Sequence, residues 1–359
     1  MKTLFLFLFF AIIFMNSCKD NATDNPQSGN YKIFYNFITG YGIPVYIYQM
    51  NIDGTNNIIF KTNAELYSPP QGGKIAFTIV NDSTGEYTLK VSNIDGTNEN
   101  TILTDVWGIL NASLSINNNK LLYIREKSLF SGGRFEYLHL CNIDGSNDIL
   151  IDSCSWWFGN VFLEAEFSQD GNSIVYVIDP DFNNPSFYIY DINGNSKRKI
   201  NSSSLSLPEE FLSTHRFNLS SDGKEIVFIS FDSASSQYSI SIINVSNGSI
   251  KEILKTSEYI SKPVWSPDDK KIAYYKEPCN LWVIDVDTKV EIQFTDLPGP
   301  ENEIRFLVPQ WSPDGKYIIF EYSKDSGRNE GNLTIIEYST GKVSTLIQEE
   351  QVATAFFGW

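Results

Sequence analysis

The chain has 359 residues, 27 of them basic and 43 acidic, which gives a formal net charge of −16 at pH 7. A body of this charge repels polyanions, and no cluster of lysine or arginine offsets the repulsion, so nucleic acid is excluded as a partner. The four cysteines show no Cys-x-x-Cys spacing and there are only two histidines, so the sequence predicts no metal and no cofactor.

Residues 1–17 resemble a bacterial lipoprotein signal peptide. Lys2 precedes an apolar run from Leu4 to Phe14, which is too short to cross a hydrocarbon core that needs roughly 20 residues. Ser17 is a small residue directly before Cys18, as lipoprotein processing requires. We therefore predict that residues 1–17 are removed and that Cys18 carries the lipid. The alternative is an ordinary cleaved signal that leaves Cys18 as a free thiol.

Residues 18–30 have no apolar periodicity and are rich in turn formers, so we predict a flexible tether after the lipidated cysteine. The Lys19-Asp20 pair resembles an export signal for the outer face of an outer membrane. We expect the protein in the cell envelope, anchored to the outer membrane on its periplasmic or its surface-exposed side. The lipid is the predicted membrane contact, because an acidic body does not lie flat on anionic headgroups.

Residues 31–359 are organised by a repeated phrase. The run Trp-Ser-Pro-Asp-Asp-Lys-Lys-Ile-Ala-Tyr from Trp265 recurs from Trp311 as Trp-Ser-Pro-Asp-Gly-Lys-Tyr-Ile-Ile-Phe. Degenerate copies begin at Tyr67, Leu114, Phe167 and Leu219. This spacing is typical of one β-propeller blade per repeat.

Each repeat reads as four strands, here called a to d, and helical periodicity is absent. Strand a is the phrase itself, and strand b is predicted at residues 32–37, 74–80, 120–125, 173–178, 224–230, 271–276 and 316–322. Strand a occurs equally often only if residues 352–359 are counted. We therefore predict an all-β, seven-bladed propeller of four-stranded blades over residues 31–359, as a monomer. N-terminal strands b, c and d would join C-terminal strand a and leave no free edge. Six blades remain the alternative if the repeat at Leu114 is incomplete.

The phrase, followed by lysine and an Ile-Ala-Phe-like strand, resembles the TolB-like or PD40 (WD40-like) β-propeller family. The resemblance implies a propeller and an envelope location. Propellers of prolyl oligopeptidases are also similar, but their chemistry lies in an α/β-hydrolase domain for which no residues remain. Oligogalacturonate lyases are similar rings that hold a metal with several channel histidines, whereas this chain has only His139 and His215.

The recurring aspartates are predicted to be structural. The aspartate of each phrase caps the a–b hairpin, since Pro, Asp and Gly together favour a tight turn; these residues are Asp170, Asp222, Asp268 and Asp314. A second phrase, Asn-Ile-Asp-Gly, contains Asp53, Asp95 and Asp144. It lacks the alternating acidic ligands and distal glutamate of a calcium loop, so it predicts a c–d hairpin turn. Cys141 and Cys154 are expected to be buried thiols, with a disulfide between them as the alternative.

The candidate binding surface is the end of the ring that carries the d–a and b–c loops, which are free of the repeat. Three adjacent aromatics in one such loop, Trp156, Trp157 and Phe158, form the first choice for a partner-binding surface, and their alternative role is to fill a gap between blades. Further candidates in loops of this end are Arg134, His215 and Arg216. His139, in a predicted strand c, is expected to be packed or solvated.

We therefore expect a non-enzymatic, lipid-anchored binding or scaffold module that presents this end to an envelope protein or a glycan. No nucleophile elbow, phosphate loop or His-Glu-x-x-His motif is present, so the chain is predicted not to be an enzyme. The alternative is a polysaccharide lyase or glycoside hydrolase that uses a carboxylate pair at the channel mouth. The acids near the entrances of strand a are Glu164, Glu166, Glu209, Glu210, Glu258, Glu301 and Glu303.

Overall fold

The computed structural model describes residues 32–38, 45–81, 83–105, 108–115, 117, 119–128, 134–155, 161–168, 171–179, 186–200, 217–277, 280–296, 308–322, 331–350 and 352–358. These residues form 28 strands in seven four-stranded sheets, and they contain no helix. A membrane-spanning helix is accordingly not found in the described ranges.

Every sheet is an antiparallel blade whose strands follow chain order, except that the last strand of the chain joins the first blade. Blade 1 holds β1 (Lys32–Ile38), β2 (Val45–Asn51), β3 (Ile58–Thr62) and β28 (Val352–Gly358). Blade 2 holds β4 (Ala64–Leu66), β5 (Lys74–Val80), β6 (Tyr87–Asn93) and β7 (Asn100–Asp105). Blade 3 holds β8 (Ile109–Leu114), β9 (Lys120–Ser128), β10 (Arg134–Asn142) and β11 (Ile149–Ser155). Blade 4 holds β12 (Val161–Phe167), β13 (Ser173–Asp179), β14 (Ser186–Asp191) and β15 (Ser196–Lys199).

The remaining three blades follow the same order. Blade 5 holds β16 (Phe217–Leu219), β17 (Glu225–Asp232), β18 (Gln237–Asn244) and β19 (Ile250–Thr256). Blade 6 holds β20 (Ile260–Trp265), β21 (Lys271–Lys276), β22 (Asn280–Asp285) and β23 (Glu291–Gln293). Blade 7 holds β24 (Gln310–Trp311), β25 (Tyr317–Tyr322), β26 (Gly331–Glu337) and β27 (Lys342–Glu350).

The ring is closed by the two ends of the chain. β1 pairs antiparallel with β28, from Lys32 opposite Gly358 to Phe37 opposite Val352. The repeat at Leu114 forms a complete sheet, β8 to β11. The prediction of seven blades is therefore confirmed and the six-bladed alternative is wrong. Trp359 lies outside the described residues.

The core lies between the blades and is built on one position of strand b. The fourth residue of every strand b is aromatic and at most 2 % exposed; these residues are Tyr35, Phe77, Tyr123, Tyr176, Phe228, Tyr274 and Phe320. Hydrophobic clusters join neighbouring blades, as where Val175 and Val177 of blade 4 pack with Phe217 and Phe228 of blade 5. Because both faces of a blade are covered, strand b reads as a continuous apolar run instead of an alternating one.

The a–b turns have the predicted structural role. In the turns of blades 5, 6 and 7, the serine hydroxyl donates to the aspartate two residues on at 2.6–2.8 Å, which joins Ser220 to Asp222, Ser266 to Asp268 and Ser312 to Asp314. Asp170 lies outside the described residues.

In the Asn-Ile-Asp-Gly turns, the aspartate carboxylates accept hydrogen bonds from within the same turn. Asp53, Asp95 and Asp144 each accept a hydroxyl and a backbone N–H from the threonine or serine two residues on, and these hydrogen bonds lower the pKa of each acid. In the described residues no group of three or more His, Cys, Asp or Glu side chains could hold a metal. Cys141 and Cys154 are buried thiols that form no disulfide with each other.

Candidate functional site

Most of the predicted site lies outside the described residues. This holds for Trp156, Trp157, Phe158, His215 and Arg216, and for Cys18 with the predicted signal and tether. Arg134 is the first residue of β10, and its side chain is not described. Among the predicted acids, Glu209, Glu210, Glu301 and Glu303 are also outside. The binding surface based on these residues therefore stays a prediction.

The order of the strands defines two ends of the ring. Because neighbouring strands run antiparallel, the a–b and c–d turns lie at one end of every sheet and the b–c and d–a connections lie at the other. We call the second end the loop end and the first the turn end. Strand a, at the inner edge of each sheet, borders the central channel of a propeller, and in blade 1 this strand is β28.

Polar residues occupy one level of these innermost strands, close to the loop end. At this level, the residue of strand a pairs with the fifth residue of strand b, which directly follows the buried aromatic residue. The pairs at this level are Thr354 with Asn36, Glu65 with Thr78, Asn111 with Ile124, Glu164 with Val177 and Ser261 with Tyr275. We call the inner-strand members, Thr354, Glu65, Asn111, Glu164 and Ser261, the polar level. Side chains are described for Glu65, Asn111 and Ser261.

Glu65 is the titratable group of the polar level. The Tyr67 hydroxyl donates to Glu65 Oε2 at 3.0 Å, and Thr78 Oγ1 donates to the Tyr67 hydroxyl at 3.1 Å. Loss of water around the carboxyl raises the pKa of Glu65 to about 7, and the Tyr67 hydrogen bond opposes the rise only in part. Its side chain is still partly exposed. Glu65 can therefore gain or lose a proton near neutral pH while remaining accessible.

Two further groups of the polar level lack hydrogen-bond partners. Asn111 is 3 % exposed and Ser261 is 8 % exposed, yet Asn111 Oδ1 and Ser261 Oγ find no partner within the described part of the chain. A buried polar group without a partner costs about 1–3 kcal/mol, so such groups call for an explanation. A ligand in the channel is one physical source of the missing hydrogen bonds.

The inner strands are also irregular at this level. The pairing shifts between Ile109 and Asn111 in β8, between Phe162 and Glu164 in β12, and between Ser261 and Val264 in β20. Lys262, within the β20 irregularity, has a positive φ of 56°. Bulges redirect side chains and are frequent beside functional sites, and positive φ in a bulky residue is strained.

Nearer the turn end, polar groups of the inner strands serve structure. Glu166 accepts the backbone N–H of Leu219 in the next blade at 3.0 Å, and Asn218 Oδ1 accepts that of Trp265 at 2.9 Å. These bonds tie one inner strand to the next, so Glu166 is not a candidate acid. Glu258 forms an ion pair with Lys276 at 3.1 Å and is half exposed.

His139 is packed, in agreement with its predicted role. Its ring stacks on Tyr123 with centroids 5.0 Å apart, and its Nδ1 lies 3.2 Å from Asp148 Oδ1.

Glu65 is the candidate site residue that was not predicted from the sequence. Its signal was an acid between Ala64 and Leu66, two apolar residues just before a repeat phrase, but the loss of water that raises its pKa depends on residues distant in sequence.

Comparison with known proteins supports the fold. A family profile for the dipeptidyl peptidase IV N-terminal region matches residues 220–336, which is less than half of the chain. No curated protein sequence gives a match. Solved structures with a similar fold include a bacterial TolB, a lyase and a peptidase.

TolB from Acinetobacter baumannii shares 19% identity over 92% of this chain and 83% of its own, with a TM-score of 0.53. Oligogalacturonate lyase from Vibrio parahaemolyticus shares 14% identity over 77% of this chain and 74% of its own, with a TM-score of 0.50. Prolyl oligopeptidase B from Galerina marginata shares 13% identity over 89% of this chain, with a TM-score of 0.60, and the match covers 51% of that protein. At these identities the likeness shows a β-propeller.

The comparisons contradict the prediction that the chain is not an enzyme, which rested on the absence of familiar catalytic motifs. The matching profile comes from a peptidase, and structures with the same ring are named as a lyase and as prolyl peptidases. The absence of a familiar catalytic motif therefore does not exclude catalysis, because function is carried by sites and not by the ring itself.

Proposed function

We propose that this chain is a ligand-binding β-propeller of the cell envelope that receives an envelope protein or a glycan at its loop end. The observation that carries the proposal is the polar level, where Glu65, Asn111 and Ser261 lie on inner strands and two of them lack hydrogen-bond partners within the described residues. The rigid ring holds these groups in place before the ligand arrives, which lowers the entropic cost of binding.

The anchoring part of the proposal rests on Cys18 and the signal before it. Metabolic labelling with an alkyne fatty acid tests it in cells. We expect label in the wild-type protein and none in Cys18→Ser, which should leave the membrane fraction. Equal labelling of both proteins would refute lipidation at this cysteine.

We propose that Trp156 and Trp157, which lie outside the described residues, belong to the same binding surface. A Trp156→Ala/Trp157→Ala double variant should fold normally and lose a partner that the wild type captures from detergent-solubilised envelopes. Thr101→Ala, an exposed change on β7, is the matched control and should retain the partner. The surface assignment fails if capture by the double variant equals that of the control.

Glu65 supports a second candidate function, cleavage of a polysaccharide. A general acid works best when its pKa lies near the working pH, and the pKa of Glu65 is raised to about 7. The test is release of oligosaccharides from a panel of neutral and uronate polysaccharides. We expect Glu65→Gln to abolish release, and the catalytic candidate is rejected if wild-type protein releases none or if Glu65→Gln is equally active.

A further inference from the structure

The residue at one position of the c–d turn makes the same backbone hydrogen bond in six blades. The residue at this position donates its backbone N–H to a carbonyl of the a–b turn in the same blade. The bonds are Ile94 to Gly73, Ile143 to Asn119, Ile192 to Asn172, Val245 to Lys224, Val286 to Lys270 and Tyr338 to Lys316. Five of these donors are isoleucine or valine, whereas blade 7 has Tyr338. A branched aliphatic residue is sufficient for the fold at this position, and blade 7 instead places an aromatic ring there, which packs against Phe294 and Trp311.

Tyr338 lines a groove between blades 6 and 7 at the turn end. The groove has a volume of about 520 Å³, within the range of small-molecule sites, and its lining includes Trp311, Tyr338, Pro267, Pro313, Asp268 and Lys271. The Tyr338 ring lies 5.1 Å from the Trp311 ring and 5.2 Å from the Phe294 ring, centroid to centroid. The partly exposed Tyr338 ring, which packs on the buried Trp311, therefore meets a few polar groups in a concave site.

The charges of this groove are balanced. Lys271 Nζ lies 3.5 Å from Asp268 Oδ2 and 5.7 Å from the centre of the Tyr338 ring. Burial, together with the negative charges of Asp285 and Asp268, raises the pKa of Tyr338, so its hydroxyl stays protonated at neutral pH. A ligand with a strong charge of either sign would disturb the Asp268–Lys271 pair. A ligand whose groups both donate and accept hydrogen bonds would not.

We propose that this groove is a saccharide subsite in which the Tyr338 ring stacks on a pyranose ring. A pyranose presents a face of C–H groups to an aromatic ring and a rim of hydroxyls that donate and accept. The polar groups available to that rim include the Tyr338 hydroxyl and the side chains of Asp268, Asp314, Lys270 and Lys271. The subsite lies at the opposite end of the ring from the polar level, so it is independent of the function proposed above.

Tyr338→Ile is the decisive variant, because it restores the residue type that the repeat carries in the other blades. Wild-type protein and variant are titrated in saturation-transfer NMR and calorimetry with cello-, malto-, chito- and galacturono-tetrasaccharides. We expect at least one neutral tetrasaccharide to bind the wild type and to lose roughly tenfold or more in affinity in Tyr338→Ile. Loss of the ring contacts with Trp311 and Phe294 should lower the melting temperature, so binding is measured at a temperature at which both proteins are folded.

Three further measurements make the result specific. Tyr338→Phe should retain most of the affinity, since the stacking surface is kept. Ile192→Val, at the same position of blade 4, and Thr101→Ala, an exposed change on β7, should bind like the wild type. A sugar whose binding survives in Tyr338→Ile but is lost in Asn111→Ala would place the site at the loop end and overturn the proposal. So would binding of none of the four sugars, equal binding by Tyr338→Ile, or binding of the charged galacturonide only.

Discussion

At the scale of single residues, the carboxyl groups of Glu65 and Asp269 have different surroundings and different roles. Glu65 loses water without gaining a cation, so its acid form is favoured. Asp269 gains three donors from the neighbouring blade: Ser221 N at 2.6 Å, Ser221 Oγ at 2.5 Å and Asp222 N at 3.2 Å. Asp269 also adopts a positive φ of 55°, at the place where the a–b turn of blade 7 has Gly315. The first acid is available for chemistry and the second fastens two blades together.

Glu65 should make stability depend on pH. Its folded pKa of about 7 exceeds its ordinary value of 4.5, so the folded state holds a proton that the unfolded state has lost. This contribution is complete below pH 4.5 and disappears as the pH rises through 7. Relative to wild type, the free energy of unfolding of Glu65→Gln should therefore gain on the order of 3 kcal/mol between pH 4 and pH 8. Urea unfolding across this range measures the difference.

The control for this titration is Glu252→Gln, which removes an exposed carboxylate from β19. A gain in Glu252→Gln equal to that in Glu65→Gln would show a general charge effect, and the raised pKa of Glu65 would be rejected.

Asp269→Gly tests the clamp between blades 5 and 6. Glycine adopts positive φ without strain, but it removes all three hydrogen bonds, so we expect a net loss of about 1–2 kcal/mol. Ser236→Gly also relieves a positive φ, of 52°, at an exposed loop position and should change stability little. Equal stability of Asp269→Gly and wild type in chemical denaturation would show that the clamp contributes nothing.

At the scale of the elements, the c–d turns act as contacts between blades. A side chain at Gly54 of blade 1 would meet Leu346 of blade 7 at 3.6 Å, and one at Gly96 of blade 2 would meet Phe60 of blade 1 at 3.8 Å. One at Gly145 of blade 3 would meet the Ile102 carbonyl oxygen of blade 2 at 3.0 Å. Each Asp-Gly turn therefore fits against the outer strand of the preceding blade, which explains why the same phrase recurs in three successive blades.

Gly145→Ala should be more destabilising than Gly341→Ala. Both glycines have positive φ, 81° and 68°, so both variants carry a conformational cost of about 1–2 kcal/mol. Gly341 has open space around it, whereas Gly145 lies against backbone that cannot move freely. The crowding should add roughly 1–3 kcal/mol in Gly145→Ala. Thermal unfolding compares the two, and similar losses would contradict the proposed packing role.

At the scale of the whole molecule, ring closure depends on one strand. Without β28, the inner edge of β1 would expose unpaired backbone groups and blade 1 would lose a strand. A chain that ends at residue 350 should therefore melt at a lower temperature and aggregate on heating. Removal of residues 19–30, the predicted tether, is the control and should leave the melting temperature unchanged. An unaltered melting temperature in the first truncation would show that closure by β28 is unnecessary.

Much of the fold was predictable because its determinants are local. The repeated phrase sets the position of each a–b turn, since Ser, Pro, Asp and Gly at fixed offsets define φ and supply the capping hydrogen bond. The apolar run after each turn predicts a strand b that is covered on both faces. Counting these runs predicted both the number of blades and the union of the chain's two ends.

The candidate sites at Glu65 and Tyr338 could not be predicted from the sequence in the same way. Glu65 and Tyr338 stand in ordinary β sequences, and apart from the apolar neighbours Ala64 and Leu66 of Glu65, nothing near them in the chain signals a channel or a groove. Their properties depend on surroundings formed by folding, namely the loss of water around Glu65 and the contacts of Tyr338 with Trp311 and Lys271. Turn and strand preferences act between near neighbours, so the sequence alone determined the ring. Desolvation and concave shape arise only where separate blades meet, so the tertiary structure decided the sites.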